Sequence, residues 1–336
     1  MNKIKIGIDI GGTFTDFFVI SNNKEYKNKV LTDSVNPYIS LITGLNYIFD
    51  NNDLNKNDID LIIHGTTLFT NKLIERKGST PIFFTTKGFA DVLDMQKEMR
   101  YDIYDLHAKE VTHLVPKLLR YEIDERIDGD GNIIKHIDIK TLEKQLQLLK
   151  NNHELSSNHS VAICLLHSYI NPTHENIVRD IIKYYFPMVN ISLSHEISPL
   201  IREYERMSTT ICNSYIQPLA TEYINNIENH LKINKYKSPL RLMLSSGGIT
   251  STNIAKKYPV RLIESGPAAG TLAAAHLGSK SGFKDLLSFD MGGTTAKMCI
   301  ISNGKPNLTS NFEVARLERF KKGSGLPINI YTIDLI

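Results

Sequence analysis

Short apolar runs alternate with helix-periodic stretches along most of this chain. The apolar runs are rich in Ile, Leu, Val and Phe, and they predict strands at Ile4–Ile10, Phe14–Ile20, Leu61–His64, Pro81–Thr85, Val161–Leu166, Leu240–Leu244 and Leu286–Asp290. Between several of these runs, the pattern predicts helices over Pro37–Asn51, Thr67–Lys77 and Pro172–Tyr185. Strands that alternate with helices indicate an α/β protein rather than a β-sandwich or a helix bundle.

The longest helical pattern follows Ser198. Its apolar residues recur at every fourth position along one drifting face: Ile211, Tyr215, Leu219, Tyr223, Ile227 and Leu231. Pro218 lies inside this pattern, and because proline lacks a backbone donor we expect a kink or two abutting helices there. A hairpin is predicted over Tyr121–Ile137, around the turn at Asp128–Gly131.

One short pattern occurs twice, far apart in the chain. Residues 3–20 read KIKIGIDIGGTFTDFFVI, and residues 285–301 read DLLSFDMGGTTAKMCII. Each copy is an apolar strand that ends in Asp, followed by a Gly-Gly-Thr turn and a second apolar run. A single offset pairs Asp9 with Asp290, Gly11 with Gly292, Gly12 with Gly293 and Thr13 with Thr294. Internal repetition reports architecture, and here it predicts two related lobes that each carry one hairpin.

The residue types in the repeat suit phosphate binding. Gly-Gly allows positive φ and lets backbone N–H groups approach a ligand, while the Thr hydroxyls add donors. A carboxylate can hold Mg²⁺ or orient a water molecule, so Asp9 and Asp290 are the catalytic and magnesium candidates. The predicted nucleotide contacts are Gly11, Gly12, Thr13, Thr15, Asp16, Gly292, Gly293, Thr294, Thr295 and Lys297. One copy alone would indicate only a tight hairpin, whereas two copies favour a clamp on one nucleotide polyphosphate.

The two copies differ after the turn. The first continues with Thr15 and Asp16, where the second has Ala296 and Lys297. The second copy therefore lacks one candidate magnesium contact. Lys297 could meet a phosphate oxygen as a point charge, or it could be a solvated lysine on a hairpin, and both readings stay open.

Composition narrows the functional classes. The 336 residues carry a formal net charge of +3 with basic and acidic residues interspersed, which argues against a nucleic-acid partner. With no apolar run of about 18 residues and a strand at the start, we expect neither a membrane span nor a signal peptide. Cys164, Cys212 and Cys299 are isolated in apolar stretches, which predicts buried reduced thiols and a cytoplasmic setting. Cysteine and histidine spacing indicates no metal site.

A run of small residues precedes the second copy. Ser265–Gly278 reads SGPAAGTLAAAHLG, which opens with a cap-like Ser-Gly-Pro and continues as an Ala/Gly-rich helix. Small side chains let a helix approach another backbone closely. The segment is either a hinge between two lobes or a well-packed helix, and its place directly before the second hairpin favours the hinge.

The chain has a phosphate-type hairpin, then a helix of small residues, then a second hairpin. This order of elements resembles that of the actin, sugar kinase and Hsp70-type ATPase superfamily. Further segments are similar to the hydantoinase A family, which includes the ATP-dependent half of 5-oxoprolinases, hydantoin hydrolases and acetone-carboxylase-type enzymes. These segments are HGTTLFTNKLIERKG (His64–Gly78), TTKGFADVL (Thr85–Leu93), RYDIYDL (Arg100–Leu106), YEIDERIDGDG (Tyr121–Gly131), SPLIREYERMSTTICNSYIQP (Ser198–Pro218) and SSGGITS (Ser245–Ser251). The resemblance covers essentially the whole chain.

This resemblance implies a fold and a division of the chain. The implied fold is α/β, with actin-like (ribonuclease H-like) ATPase lobes built from mixed sheets and flanking helices. The implied division is an N-terminal lobe over residues 1–195 and the start of a core domain over residues 196–336. Relatives continue beyond the corresponding end into segments that complete the second lobe, so we expect a truncated or split member with an incomplete second lobe.

The resemblance also implies an activity. ATP-dependent hydrolysis of a cyclic amide, such as 5-oxoproline or a hydantoin, would proceed through phosphorylation of the carbonyl oxygen. ATP and Mg²⁺ are the implied cofactors, and a hydantoinase B-type subunit is the implied partner. The open alternatives are a subunit of an ATP-dependent ketone carboxylase, a small-molecule kinase or nucleotide-switched binding protein, and a non-catalytic nucleotide-binding fragment.

Weaker candidates for contact with the substrate are His64, Thr66, Thr67 and Arg100. The first three fall where a strand ends and a helix begins, so their chemistry alone favours a helix cap beside a satisfied histidine. The charged residues of the long helical pattern predict either an ion-pair network or a contact with a partner subunit: Arg202, Glu203, Glu205 and Arg206.

Overall fold

The computed structural model describes residues 3–98, 101–107, 109, 111–151, 159–291, 296–318 and 321–335. Its strands are β1 (Ile4–Ile10), β2 (Phe14–Ser21), β3 (Lys24–Leu31), β4 (Ile59–Thr66), β5 (Ile82–Thr86), β6 (Arg120–Ile123), β7 (Arg126–Ile127), β8 (Ile133–Lys135), β9 (Ser160–Cys164), β10 (Asn190–Leu193), β11 (Leu240–Met243), β12 (Ile249–Ser251), β13 (Leu286–Met291), β14 (Ala296–Ser302), β15 (Lys305–Pro306), β16 (Leu308–Thr309), β17 (Phe312–Val314), β18 (Leu326–Ile328) and β19 (Thr332–Ile333). Its α-helices are α1 (Pro37–Asp50), α2 (Leu68–Ile74), α3 (Val92–Met95), α4 (Ile139–Asn151), α5 (Thr173–Tyr185), α6 (Ser194–Ile197), α7 (Glu203–Ile233), α8 (Thr252–Lys257) and α9 (Ser265–Lys280). The predicted α/β class is confirmed, and the predicted strands and helices are present within a few residues of their expected ends.

The chain folds into two compact units, each assembled from separate stretches of sequence. The first unit comprises Met1–Asn71, Ala220–Ser310 and Tyr331–Ile336. The second comprises Lys72–Leu219 and Asn311–Ile330. Both units are made of separate stretches of sequence, so they do not test the single boundary predicted after residue 195. That boundary stays a prediction.

A mixed six-stranded sheet organises the first unit, in the order β12-β11-β4-β1-β2-β3. Strand β1 runs antiparallel to β2 and parallel to β4. Its alternating pattern buries Ile4, Ile6, Ile8 and Ile10, while Asp9 points to the opposite face because successive side chains alternate. The register then sets Asp9 beside Asp16 on β2 and Gly65 on β4.

A second, smaller sheet of the first unit carries the second hairpin, so both hairpins lie in one compact unit, whereas the repeat predicted one hairpin in each of two lobes. Strands β13, β14 and β15 pair antiparallel, with Asp290 opposite Lys297. Cys299 of β14 packs in a small buried cluster with Ala268 of α9 and Ile333. All three cysteines are free and buried, as the sequence predicted.

A parallel four-stranded sheet organises the second unit, in the order β10-β9-β5-β6. Helices α4 and α5 cover it through a buried apolar core that includes Phe84, Ile163, Leu146 and Val178. The predicted hairpin is present as the β7–β8 pair, and Gly131 in its turn has a φ of +88°. That conformation is open to glycine without a steric penalty.

Helix α7 runs without a break from Glu203 to Ile233 with Pro218 inside it. Of the two expectations at Pro218, two abutting helices is wrong, and a kink stays a prediction. Buried residues on both sides of the proline hold one helix together: Ile211, Tyr215, Ile216, Ala220, Tyr223 and Ile224. Tertiary packing of an apolar face is what stabilises most protein helices, and here it keeps the helix continuous past the proline. Of the helices in the described ranges, not one combines the length and apolarity that a bilayer span requires.

Candidate nucleotide-binding site

The side chain of Asp9 lies at the point where three elements of the first unit meet. Its Oδ1 atom is buried and has no hydrogen-bond partner among the residues that the structure describes. A Cβ atom added to Gly266, in the first turn of α9, would lie 2.8 Å from that oxygen. A Cβ added to Gly65 at the end of β4 would lie 3.5 Å from it. Two glycines therefore leave the room that this carboxylate occupies.

Negative charge accumulates around Asp9. Burial raises the pKa of its carboxyl to about 6, and the nearby carboxylates of Asp16 and Asp290 add to the effect, while Lys29 opposes it. Lys29 lies 2.7 Å from Asp16, so its positive charge mainly offsets that carboxylate rather than Asp9. The first and second hairpins thus bring Asp9 and Asp290 within electrostatic range of each other, as the sequence predicted. A cation at this position would relieve the repulsion between the carboxylates.

The N-terminus of α9 is held against the β4–α2 junction. The Ser265 hydroxyl accepts a hydrogen bond from the Thr66 backbone N–H (3.1 Å) and donates one to the Thr66 carbonyl (3.0 Å). The residue before it, Glu264, has a left-handed φ of 62° and donates its backbone N–H to Thr70 Oγ1 (3.0 Å). The cap-like role expected for Ser265 is therefore wrong, because Glu264 occupies the N-cap position and the serine joins α9 to β4 instead.

The first hairpin is tight, but not for the expected reason. The Gly11 N–H donates to the Phe14 carbonyl (3.0 Å) and closes the turn. Neither Gly11 nor Gly12 has a positive φ, so the expected left-handed backbone is wrong at both positions. Close approach explains Gly11, since a Cβ there would lie 3.2 Å from the Phe14 carbonyl oxygen. Gly12 and Thr13 are exposed at the tip, where a ligand could reach them.

Thr15 supports the hairpin from inside the unit. Its side chain is fully buried, and its hydroxyl lies 2.9 Å from that of Thr32. Thr32 Oγ1 in turn donates to the Gly11 carbonyl (3.0 Å). These bonds favour a structural role for Thr15 over the predicted nucleotide contact. Asp16, half-buried on the neighbouring face of β2, bonds to Lys29.

On the second hairpin, Asp290 is exposed and Lys297 is half-buried. Lys297 Nζ lies 3.3 Å from Oε1 of Glu264, the residue at the start of α9. The lysine is therefore ion-paired rather than freely solvated, and its contact with phosphate stays a prediction. The other predicted contacts of this copy lie outside the described residues, as does Arg100: Gly292, Gly293, Thr294 and Thr295.

The strand-to-helix junction at His64 is built as a structural element. His64 is fully buried, and burial lowers its pKa to about 4, so the ring is neutral. Its Nε2 lies 2.8 Å from the Tyr223 hydroxyl. Thr66 is buried too, and its hydroxyl accepts from the Leu68 N–H (3.0 Å), which caps the first turn of α2. These contacts favour the cap reading for Thr66 and the satisfied-histidine reading for His64. Thr67 is half-buried beside them.

Three residues of the site escaped the sequence-based candidates: Gly65, Glu264 and Gly266. The signal for Gly266 was visible in Ser265-Gly266-Pro267, but the pattern does not say which side chain comes close to the glycine. Within the described ranges, no three His, Cys, Asp or Glu side chains converge in a group that could hold a metal ion. Mg²⁺ commonly takes only one or two protein carboxylates and completes its shell with phosphate oxygens and water. The unpartnered oxygen of Asp9, with Asp290 in electrostatic range, fits that mode.

Comparison with known proteins relates both halves of the chain to one family. The family model described as the hydantoinase/oxoprolinase N-terminal region matches residues 5–186, and the model described as hydantoinase/oxoprolinase matches residues 206–335. An uncharacterised protein of Methanocaldococcus jannaschii is 38% identical over 98% of this chain and 49% of its own length.

Two relatives with named activities match the chain in sequence, structure or both. Caprolactamase subunit alpha of Pseudomonas jessenii is 29% identical over 94% of this chain and 46% of its own length. The crystal structure of that ATP-dependent caprolactamase superposes with a TM-score of 0.86 at 28% identity, over 99% of this chain and 47% of its own. A nucleotide-free acetone carboxylase structure also gives a TM-score of 0.86, over 100% of this chain and 48% of its own, but at 24% identity it shows the fold alone. The chain thus spans about half the length of the relatives it matches.

Proposed function

Because this chain belongs to the hydantoinase/oxoprolinase family, we propose that it is the ATP-using part of an enzyme that opens a cyclic amide. The observation that carries this proposal is the Oδ1 atom of Asp9, which is buried, unpartnered among the described residues, and set between two glycines. An ionisable oxygen in that state favours a cationic partner. Mg²⁺ bound to ATP would supply that cation.

The proposed chemistry follows from the stability of amides. Resonance makes the carbonyl carbon of a lactam a poor electrophile, and transfer of the γ-phosphoryl group to the carbonyl oxygen removes that resonance. The protein must then align the phosphate with the acceptor and stabilise the charge on its oxygens. In this proposal, the exposed amides of Gly12 and Thr13 hold phosphate oxygens, while Asp9 and Asp290 hold Mg²⁺, which would neutralise phosphate charge.

Helix α9 adds to this arrangement. It is 16 residues long, and its first turn lies against the Asp9 carboxylate. Free N–H groups and the helix dipole make such an N-terminus favourable for anions. Phosphate oxygens placed beside the metal would therefore meet partial positive charge from the helix. Lys297 is ion-paired with Glu264 at the same terminus (3.3 Å), and in this proposal it exchanges that partner for a phosphate oxygen.

The cyclic amide is favoured over the ketone as the acceptor. The caprolactamase matches this chain in both sequence and structure, whereas the acetone carboxylase likeness is one of fold. A ketone carboxylase stays the second candidate, because the acetophenone carboxylase gamma subunit of Aromatoleum aromaticum is 27% identical over 88% of this chain. Since caprolactamase is named as having an alpha subunit, a companion subunit of B type is part of the proposal. The cytoplasmic setting remains part of the same proposal, and it would suit the three reduced cysteines.

The test is phosphate release from Mg-ATP by this chain mixed with its B-type partner protein. The panel contains 5-oxoproline, hydantoin, ε-caprolactam, and acetone with bicarbonate. We expect a cyclic amide to stimulate phosphate release and to yield a ring-opened product. Stimulation by acetone with bicarbonate alone would favour the ketone carboxylase, and no stimulation by any compound would overturn the enzymatic proposal.

Two variants make that test specific to the site. Asp9→Asn should abolish amide-stimulated phosphate release. Asp60→Asn is the matched control, because Asp60 is an exposed carboxylate on β4 of the same unit, paired with Lys3 at the surface. Equal activity of both variants would remove Asp9 from the mechanism.

A further inference from the structure

The second unit contains a cluster of buried glutamate–histidine pairs that the nucleotide site does not use. Glu125 pairs with His174, and Glu175 pairs with His195, with 2.6 Å between Oε2 and Nδ1 in each pair. The side chains of Glu125 and Glu175 are fully buried. Burial of ionisable groups is unfavourable unless they are paired, and apolar side chains of similar volume are often as stabilising. Stability alone therefore does not explain why these ionisable pairs are buried.

The cluster lies along the carboxyl edge of this sheet, where His195 follows the edge strand β10. The chain forms β5, then β6 on one side of it, and then β9 on the other side, so the strand order reverses between β5 and β9. The two carboxyl ends meet there through Thr86, whose hydroxyl accepts from the Leu166 N–H (3.0 Å) and donates to Glu125. Crevices at the carboxyl edge near such a reversal are the usual binding sites of this architecture.

The hydrogen bonds of Glu175 decide which nitrogen of His195 carries the proton. Oε1 of Glu175 accepts from the Leu165 N–H (3.0 Å) and the Ser194 hydroxyl (2.5 Å). Oε2 accepts from the His195 N–H (3.2 Å) and lies 2.6 Å from Nδ1 of His195. A carboxylate only accepts, so Nδ1 donates, and in the neutral ring Nε2 keeps its lone pair.

The two histidines differ in their access to a ligand. Nε2 of His174 is buried and unpartnered among the described residues. The side chain of His195 is 16% exposed, with Nδ1 turned towards the buried carboxylate. Its Nε2, on the opposite side of the ring, has no hydrogen-bond partner in the part of the chain that the structure describes. Because Glu175 holds Nδ1 and the side chain is partly exposed, Nε2 is the ring nitrogen of a neutral His195 that is left to accept a hydrogen bond from a ligand.

We propose that the carboxyl edge of this sheet binds a small neutral molecule through an N–H group that donates a hydrogen bond to Nε2 of His195. Glu175 is the positioning residue, because it fixes the tautomer. An anion is disfavoured because the carboxylate of Glu175 lies directly behind the ring, 2.6 Å from Nδ1. A cyclic amide is the ligand class with the required N–H, and that choice rests on the proposed function.

Nitrogen-15 NMR of the histidine-labelled 336-residue chain tests the proposal without ATP. The resonances of His195 are assigned by their absence from His195→Gln, and they should show a protonated Nδ1 and an unprotonated Nε2. Titration with 2-pyrrolidone should shift the Nε2 signal saturably, whereas N-methyl-2-pyrrolidone, which lacks the N–H, should not. Loss of this hydrogen bond in His195→Gln should weaken 2-pyrrolidone binding about tenfold.

Control variants separate this site from the nucleotide site and from general effects. His136→Gln, at an exposed histidine of the same unit, should bind 2-pyrrolidone like the wild type. Asp9→Asn should also bind it, so loss of amide-stimulated phosphate release and loss of this site are distinguishable. Glu175→Gln should move the His195 proton to Nε2, a change that a merely structural role would not produce. A protonated Nε2 in the wild type, equal shifts with both ligands, or no shift with either would overturn the proposal.

Discussion

The Oδ1 atom of Asp9 lies 2.8 Å from the position that a Cβ atom of Gly266 would occupy. The end of the first strand and the start of α9 can come this close because residue 266 has no side chain. The carboxylate has no hydrogen-bond partner there among the described residues, so its position is set by packing and by the charges around it.

Replacing Gly266 with Ala should therefore displace the Asp9 carboxylate and weaken Mg-ATP binding about tenfold or more. The variant should still fold, since alanine favours a helix over glycine by about 1 kcal/mol. Gly270→Ala is the matched control in the same helix, because a Cβ there meets no atom within 4 Å. Binding of a fluorescent ATP analogue, with thermal melting in parallel, measures both effects. Equal ATP affinity in the two variants would contradict the role given to Gly266.

The raised pKa of Asp9 predicts a dependence of stability on pH. In the folded protein the carboxyl has a pKa of about 6 against an ordinary value of 3.8, so the folded state holds its proton more tightly than the unfolded state. Below pH 3.8 the carboxyl contributes no penalty. Between pH 3.8 and 6 the penalty grows, and above pH 6 it stays at about 3 kcal/mol. Asp9→Asn should thus be more stable than the wild type at pH 8 in the absence of Mg²⁺ and ATP.

Urea denaturation at pH 4 and pH 8 measures this difference, which should shrink at the lower pH. Asp60→Asn should show no comparable gain, because that carboxylate is exposed. A stability difference between Asp9→Asn and wild type that is the same at both values would mean that Asp9 is not destabilised by burial.

Replacing Lys297, which is ion-paired with Glu264, distinguishes a structural role of this lysine from a functional one. An isolated pair at this level of exposure contributes about 0–1 kcal/mol, so Lys297→Gln should leave the melting curve nearly unchanged. If Lys297 contacts phosphate, ATP affinity should fall about tenfold while adenosine affinity does not change. Lys256→Gln breaks the Lys256–Glu228 pair of the same unit and serves as the control. Calorimetric titration decides, and unchanged ATP affinity would assign Lys297 to structure alone.

The buried bond between Tyr223 and His64 should be structural. Tyr223→Phe removes the hydroxyl and leaves Nε2 of His64 without its partner, which should destabilise the fold by about 1–3 kcal/mol. ATP affinity should stay within about twofold of the wild type. Tyr184→Phe, at an 81% exposed ring, is the control for stability. A variant of normal stability that loses amide-stimulated phosphate release would restore His64 as a functional residue.

Sequence periodicity located the elements well because it is a local property. The strand from Ile4 to Ile10 was predicted with its observed ends, and the repeat identified the two hairpins that bring Asp9 and Asp290 together. The sequence-based interpretation was less accurate for the charged residues around Arg206. The sequence placed Arg206 in an ion-pair network or a contact with a partner subunit. In the structure it is 1% exposed and donates to the Leu165 carbonyl (2.7 Å), while Glu205 pairs with Lys97. A charged residue on a helix looks the same in sequence whether it faces water or a strand end.

The sequence by itself determined the α/β class, the two hairpins and the family. Each of these follows from residues that are close together in the chain: alternating apolar and polar positions, turn residues and short motifs. Only the tertiary structure decided which side chains are buried and which backbones come close. Gly266 is next to Asp9 although they are far apart in the chain, and His64 is neutral because the fold surrounds it. Likewise, Nδ1 of His195 is held by Glu175, which lies on another helix. Burial and electrostatic environment depend on residues that folding brings together, so no local pattern contains them.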